Sequence, residues 1–159
     1  MKPDARFAFG HPAHAIALGF GAGLSRYAPG TAGTLLAWAL GRLLLDDQAP
    51  AVQLAVLGIA FALGVWACGL TGRHLGVADH GAMVWDEVVA FLIVLVVLPK
   101  SLAWQAAAFV LFRAFDIVKP PPIRWLERRL HGGLGVMADD ILAAGYTLLC
   151  LSVMKRMLF

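Results

Sequence analysis

The sequence predicts an all-α protein, a compact bundle of helices embedded in a membrane, with Gly-rich connecting loops gathered on one face. Three observations carry that reading. Hydrophobic residues make up 60% of the chain and charged residues only 14%, whereas soluble domains hold about 45–50% apolar and about 25% charged residues. Mean hydropathy is +0.78, and 159 residues, which we read as one domain over 1–159, enclose too small an interior to hide so much apolar surface. The apolar residues also come in runs separated by polar, Gly/Pro-rich connectors, without internal repeats or low-complexity segments.

Taken in order, residues 1–14 are polar and lack the apolar core of a cleaved leader, so none is expected. Gly19 to Ser25 and Ala28 to Thr34 read as flexible Gly-rich loops, the second ending at Thr34 as a helix N-cap. A first apolar run covers 34–45, interrupted by Arg42. The clearest run, 51–70, has only Gln53 as a polar residue; as a helix it is about 30 Å long and spans a bilayer. Ala60, Gly64 and Cys68 recur at every fourth position there, the spacing that lets helices approach closely in lipid. Runs at 88–98, 102–112 and 141–154 complete a set of about five helices, some too short to span unaided. Val94 to Val97 also fits a strand by pattern, but open sheet edges do not survive in hydrocarbon, and helix is favoured.

If 34–47 leaves one face and 51–72 returns to it, then 20–33, 73–87 and 116–139 all lie on that face. It carries nine Lys/Arg residues against four opposite, a positive-inside bias that places it in the cytoplasm. A net charge of +3 spread over so few charges suits an anionic lipid surface and argues against nucleic acid. Cys68 and Cys150 lie in apolar runs and form no metal or redox motif.

The acidic residues are the most informative. Asp79, Asp86, Glu87, Asp116, Asp139 and Asp140 all fall at apolar helix ends on the same predicted face. Carboxylates near hydrocarbon are costly and mark functional sites. Such oxygen donors suit Mg²⁺, held by one or two carboxylates and a substrate phosphate. Asp86, Glu87, Asp116, Asp139 and Asp140 are the candidate ligands, and Asp79, Asp86, Glu87, Asp139 and Asp140 the candidate catalytic groups. Neighbours on a helix point about 100° apart, so one member of each adjacent pair is expected to ligate and the other to support it or act as base. Arg113, Asp116 and Lys119 recur every third position, on one helix face, ahead of Pro120-Pro121-Pro122, which turns the chain. The candidate substrate-binding residues are Thr31, Arg26, Arg113, Lys119 and His131, with amides of the 28–34 loop free to cradle phosphate. His131-Gly132-Gly133-Leu134-Gly135 is a second such loop.

Nucleotide-loop readings fail, because Leu24 stands where a dinucleotide fingerprint needs Gly and no GK[ST] occurs. Cys150 and Arg156 have the C-x5-R spacing of a cysteine phosphatase, but no glycine between them to curl into a cradle. A histidine nucleophile, His80 or His131, is the weaker reading against a hydrogen-bonding role.

Four ordered blocks carry a resemblance: Gly19 to Ser25 with Ala28-Pro29-Gly30-Thr31; Val84-Trp85-Asp86-Glu87; Phe112-Arg113-Ala114-Phe115-Asp116 with Lys119-Pro120; and Gly132 to Met137 with Asp139-Asp140. Together, across residues 19–144, they resemble the phosphatidylglycerophosphatase A family. The resemblance implies an all-helical, Mg²⁺-dependent phosphatase of the bacterial inner membrane, multi-pass with a cytoplasmic site, converting phosphatidylglycerophosphate to phosphatidylglycerol. Ala90 and Ala144 depart from the family pattern, which usually has glycine there; both changes are small-for-small. The rival from another class is a non-catalytic transport or assembly protein with a cation site, which would hold its charges at mid-helix.

Overall fold

Eleven apolar residues follow Asp86-Glu87 without a break, and they form the helix around which the rest of the chain packs. The structure, a computed structural model, describes residues 2–158; Met1 and Phe159 lie outside the described residues. Its helices are α1 (Ala5–Phe9), α2 (Pro12–Ala17), α3 (Pro29–Leu40), α4 (Pro50–Leu75), α5 (Trp85–Val97), α6 (Leu102–Val118), α7 (Ile123–Glu127) and α8 (Gly132–Leu158). A 3-10 turn covers Gly19–Leu24, a π turn extends α3 over Gly41–Leu45, and no strand occurs among the described residues. Val94 to Val97 is therefore helical.

Helix α5 is buried from Trp85 through Leu92 and again at Val94 and Leu95, enclosed by α3, α4, α6 and α8. An apolar residue at nearly every position requires burial on all sides, and α5 obtains it by lying at the centre. Two seams of small residues bring its neighbours close. On α3, the buried Gly30, Gly33, Thr34 and Ala37 form one face, and a side chain at Gly33 would overlap Val84. On α4, the predicted Ala60, Gly64 and Cys68 are indeed buried; Gly64 sits under Met137 of α8 and Trp85 of α5. Close approach of this kind maximises dispersion contact between helices that have little else to hold them. Phe91 meets Trp38 and Phe109 edge-on and Phe112 at a tilt; Trp38 also tilts against Phe109, and its indole Nε1 donates to the buried Gln105 Oε1 at 2.8 Å.

Several helices begin earlier than the sequence pattern predicts. Helix α3 starts at Pro29, with Ala28 as its N-cap and no side-chain cap bond. Thr34 is therefore not a cap but lies inside the helix, its hydroxyl donating to the Gly30 carbonyl at 2.8 Å. Proline is favoured in the first turn because its missing N–H is unneeded there, and that outweighed the turn signal of the glycines. Residues 132–135 are likewise the first turn of α8 rather than a loop. Gly132 has φ of +70°, and a side chain on Gly133 would overlap the Val65 carbonyl of α4. Those glycines serve chain entry and helix contact, not loop flexibility.

Helices α4 and α8 are long and apolar enough to cross a membrane, with mean hydropathies of 2.1 and 1.5 over their best windows. Leu54, Ile59, Leu63 and Trp66 of α4 are exposed on its outer side. At one end of the bundle, Lys100 meets Asp47 at 3.3 Å, both exposed. Near the other end, α2 packs on α4 and α1 packs on α2. There the His14 Nδ1 donates to the Phe7 carbonyl (3.1 Å) and its Nε2 accepts from His74 Nδ1 (2.8 Å). Burial, with His74 and His11 nearby, holds His14 below the usual imidazole range. Cys68 is buried and Cys150 half-buried; helix α8 runs unbroken through Cys150 and Arg156, leaving no loop for a cysteine-phosphatase cradle.

Candidate active site

The first turn of α5 is pinned from three sides. The Val84 amide donates to the Ala17 carbonyl at 2.8 Å, Gly33 of α3 packs beneath Val84, and the Trp85 indole donates to the Ala60 carbonyl of α4 at 3.0 Å. Asp86 and Glu87 then fall in that first turn, where the helix dipole favours acidic groups. Both are buried, as is Asp140 in the third turn of α8. Asp86, Glu87 and Asp140 each bring a carboxylate oxygen within 4.8 Å of the others.

Each of these three residues also has a buried oxygen without a hydrogen-bond partner: Asp86 Oδ1, Glu87 Oε2 and Asp140 Oδ2. A buried polar atom left unpaired is costly, and clustered carboxylates repel one another unless a cation neutralises them. An all-oxygen donor set of this kind fits a hard divalent ion.

The remaining candidates divide differently. Asp116 is engaged by the Arg113 guanidinium three residues before it, and Arg113 Nη1 also lies 3.5 Å from Glu87 Oε1. Asp139 accepts from Lys119 Nζ at 2.8 Å, and Glu127 takes the same ammonium at 3.1 Å. Burial alone would lower the Lys119 pKa, but its bonds to Asp139 and Glu127 raise it above the ordinary lysine range, so Lys119 is a fixed cation. Asp116 and Asp139, expected as ligands, thus partner basic side chains and stand outside the triad. Of the two adjacent pairs, α8 splits 139/140 between Lys119 and the triad, whereas both carboxylates of 86/87 converge on the triad. The predicted charged stripe on α6 also ends early: Lys119 caps the helix with φ of +47° and swings toward α8.

Gly30 is the residue that joins the two groups. A side chain there would collide with the Glu87 carboxylate and the Arg113 guanidinium, so glycine lets the uncapped start of α3 approach both. Thr31 lies in that first turn. Free N-terminal amides beside a guanidinium with an unpartnered, buried Nε suit an anion. Asp79 and His131 lie apart from the triad, lining with Glu127 and Asp139 a cavity of about 130 Å³. Arg26 is exposed on the bend before α3 and makes no ion pair among the described residues. His80 Nδ1 accepts from the Ala82 amide at 3.1 Å, a local staple. Sequence reasoning missed Glu127, which sits in a short exposed helix with no periodic signal, and read Gly30 as loop rather than as a contact.

The pattern of the phosphatidylglycerophosphatase A family matches residues 15–155. A Haemophilus influenzae protein named phosphatidylglycerophosphatase A is 47% identical over 141 residues, 87% of this chain and 86% of its own. One of the same name from Escherichia coli K12 is 43% identical over 139 residues, covering 87% and 80%. A Bacteroides thetaiotaomicron protein named "Putative phosphatidylinositol-3-phosphatase" is 41% identical over 147 residues, covering 88% and 91%. No solved structure matches the chain. With the matched residues taking in every element of the site described above, the chain belongs to the phosphatidylglycerophosphatase A family of phosphatases.

Proposed function

We propose that this enzyme is an integral membrane, Mg²⁺-dependent lipid phosphatase that removes the terminal phosphomonoester of phosphatidylglycerophosphate. The observation that carries the reading is the buried Asp86, Glu87 and Asp140 triad with an orphaned oxygen on each, beside an anion-suited helix start and two fixed cations. The names of the relatives agree on a phosphomonoester carried by a phosphatidyl lipid.

Asp86, Glu87 and Asp140 would hold the ion. When bound, Mg²⁺ supplies Lewis-acid polarisation of a phosphoryl oxygen and balances the charge of the carboxylates. The chain itself does the rest. Arg113, kept in place by Asp116, and the amides of Gly30 and Thr31 orient the phosphate and stabilise charge as it builds on the equatorial oxygens. Lys119, held by Asp139, adds a second cation at the rim. Asp79 and His131, in the adjoining cavity, are placed to move a proton. Arg26, on the exposed rim, is placed to meet the incoming headgroup.

The membrane reading rests on α4 and α8 and on the apolar side chains that α4 turns outward. Lipid tails stay in the bilayer while the headgroup reaches the site, and the excess of basic residues near it favours the cytoplasmic face of the inner membrane. The rival, a non-catalytic transport or assembly protein, is set aside by membership in a phosphatase family.

The test is phosphate release by purified protein in mixed micelles, with and without Mg²⁺, from phosphatidylglycerophosphate, phosphatidylinositol 3-phosphate and phosphatidic acid. Release from the first, dependent on Mg²⁺ and highest among the three, is the expected result. No release from any would remove the enzymatic proposal. Preference for the inositol lipid would replace the substrate.

A further inference from the structure

A second groove adjoins the cavity beside the triad. The cavity lined by Asp79, His131 and Asp139 shares Ala78 and Gly132 with a second, open groove of about 280 Å³. The groove's other lining residues are Gly69, Gly72, Arg73, Gly76 and Val77, so four of its seven residues are glycine. A side chain built on Gly76 or Gly132 would meet no atom within 4 Å; both border open space. Their φ angles of +75° and +70° favour glycine, and neither residue places a side chain in the groove.

Arg73 stands in the last turn of α4 at this channel. It is exposed and makes no ion pair with any carboxylate among the described residues. The other basic residues beside the site, Arg113 and Lys119, are each held by two carboxylates. Arg73 is thus the unpaired cation that lines this groove, and its planar fork matches phosphate oxygens.

We propose that this glycine-lined groove, with Arg73 as its anion-binding residue, is the subsite for the phosphodiester that joins the headgroup to diacylglycerol. This rests on the lipid phosphatase reading and deepens it. A monoester at the triad and a diester at Arg73 would together require a substrate with two phosphates, and phosphatidic acid, which has only the monoester, would fill half the site. Arg73 is then a specificity residue, acting on binding rather than on the chemical step.

The experiment compares wild type, Arg73→Gln, Arg73→Lys and Val77→Trp on phosphatidylglycerophosphate and phosphatidic acid. It also measures binding of short-chain phosphatidylglycerol, which keeps the diester and lacks the monoester. Removing a charge-assisted contact to phosphate is expected to raise KM for phosphatidylglycerophosphate about tenfold, with kcat held and phosphatidic acid kinetics unchanged. Arg73→Lys should recover part of the loss, and Val77→Trp, which fills the groove from an exposed position, should reproduce it. Phosphatidylglycerol should bind Arg73→Gln about tenfold more weakly than wild type. Equal effects of Arg73→Gln on both lipids, or none on either, would overturn the subsite. A wild type that hydrolyses neither lipid would remove the parent reading instead, and the phosphatidylglycerol binding arm would still decide the subsite.

Discussion

Two groups of carboxylates sit side by side in this molecule and behave differently. Asp86, Glu87 and Asp140 crowd together with an unpartnered oxygen on each. Asp116, Asp139 and Glu127 are all taken by Arg113 or Lys119. The contrast is sharpest between neighbours in sequence: Asp139 and Asp140 share a helical turn, yet one faces an ammonium and the other faces acids. Acids with basic partners fix the direction of those cations, whereas acids facing one another require a cation from outside. Glu87 joins the two groups, with one oxygen 3.5 Å from Arg113 Nη1 and the other unpartnered.

The largest effect should separate those neighbours. Asp140→Asn is expected to lower kcat about 10³-fold, on the scale of losing one group that stabilises transition-state charge. Asp139→Asn, which only loosens Lys119, is expected to cost about 10–100-fold, and phosphate-release kinetics read both. Equal losses would erase the distinction between the groups.

Metal removal comes next. Mg²⁺ at a hundredfold excess over its Kd should stabilise the wild type by about 2.7 kcal/mol, visible as a higher Tm that a chelator reverses. In Asp86→Asn/Asp140→Asn the Mg²⁺ shift should vanish while the protein stays folded, since neutralising the pair relieves repulsion. A shift that persists would move the metal to the second group of acids.

Arg113→Gln tests the joint between the two groups. Its loss frees Asp116 and uncovers Glu87, and KM should rise about tenfold to a hundredfold, on the scale of about 1.5–3 kcal/mol for a charged hydrogen bond. Arg113→Lys should not restore it, because an ammonium held by the two carboxylates lacks the guanidinium's further planar N–H donors for a phosphate. The smallest effect belongs to the far end of the bundle. Breaking the exposed Lys100–Asp47 pair with Lys100→Ala should change stability by less than about 1 kcal/mol and leave activity unchanged.

Much of this was legible along the chain. The 51–70 run and its small-residue spacing follow from local pattern, because side-chain size and polarity act at helical period wherever the helix lies, whereas Val94 to Val97 fits a strand by pattern and reads as helix only because open sheet edges do not survive in hydrocarbon. Boundaries were harder. Gly30 and Gly132 to Gly135 read as loop because glycine weakens isolated helices. Packing against Glu87, Arg113 and the Val65 carbonyl reverses that preference, since only glycine permits the contact.

By itself, the sequence determined an all-helical chain of unusual apolarity, the acids and bases from which the triad and its neighbouring ion pairs are drawn, and the family to which the chain belongs. Tertiary structure alone decided the division of labour. Asp86, Glu87 and Asp140 are left facing one another, Asp116 and Asp139 are spent on cations, and Arg73 stands free beside a glycine groove. The reason is that pairing depends on which helix lies opposite, and a carboxylate's role depends on what comes within about 3–4 Å of it, a distance set by packing between segments far apart in the chain.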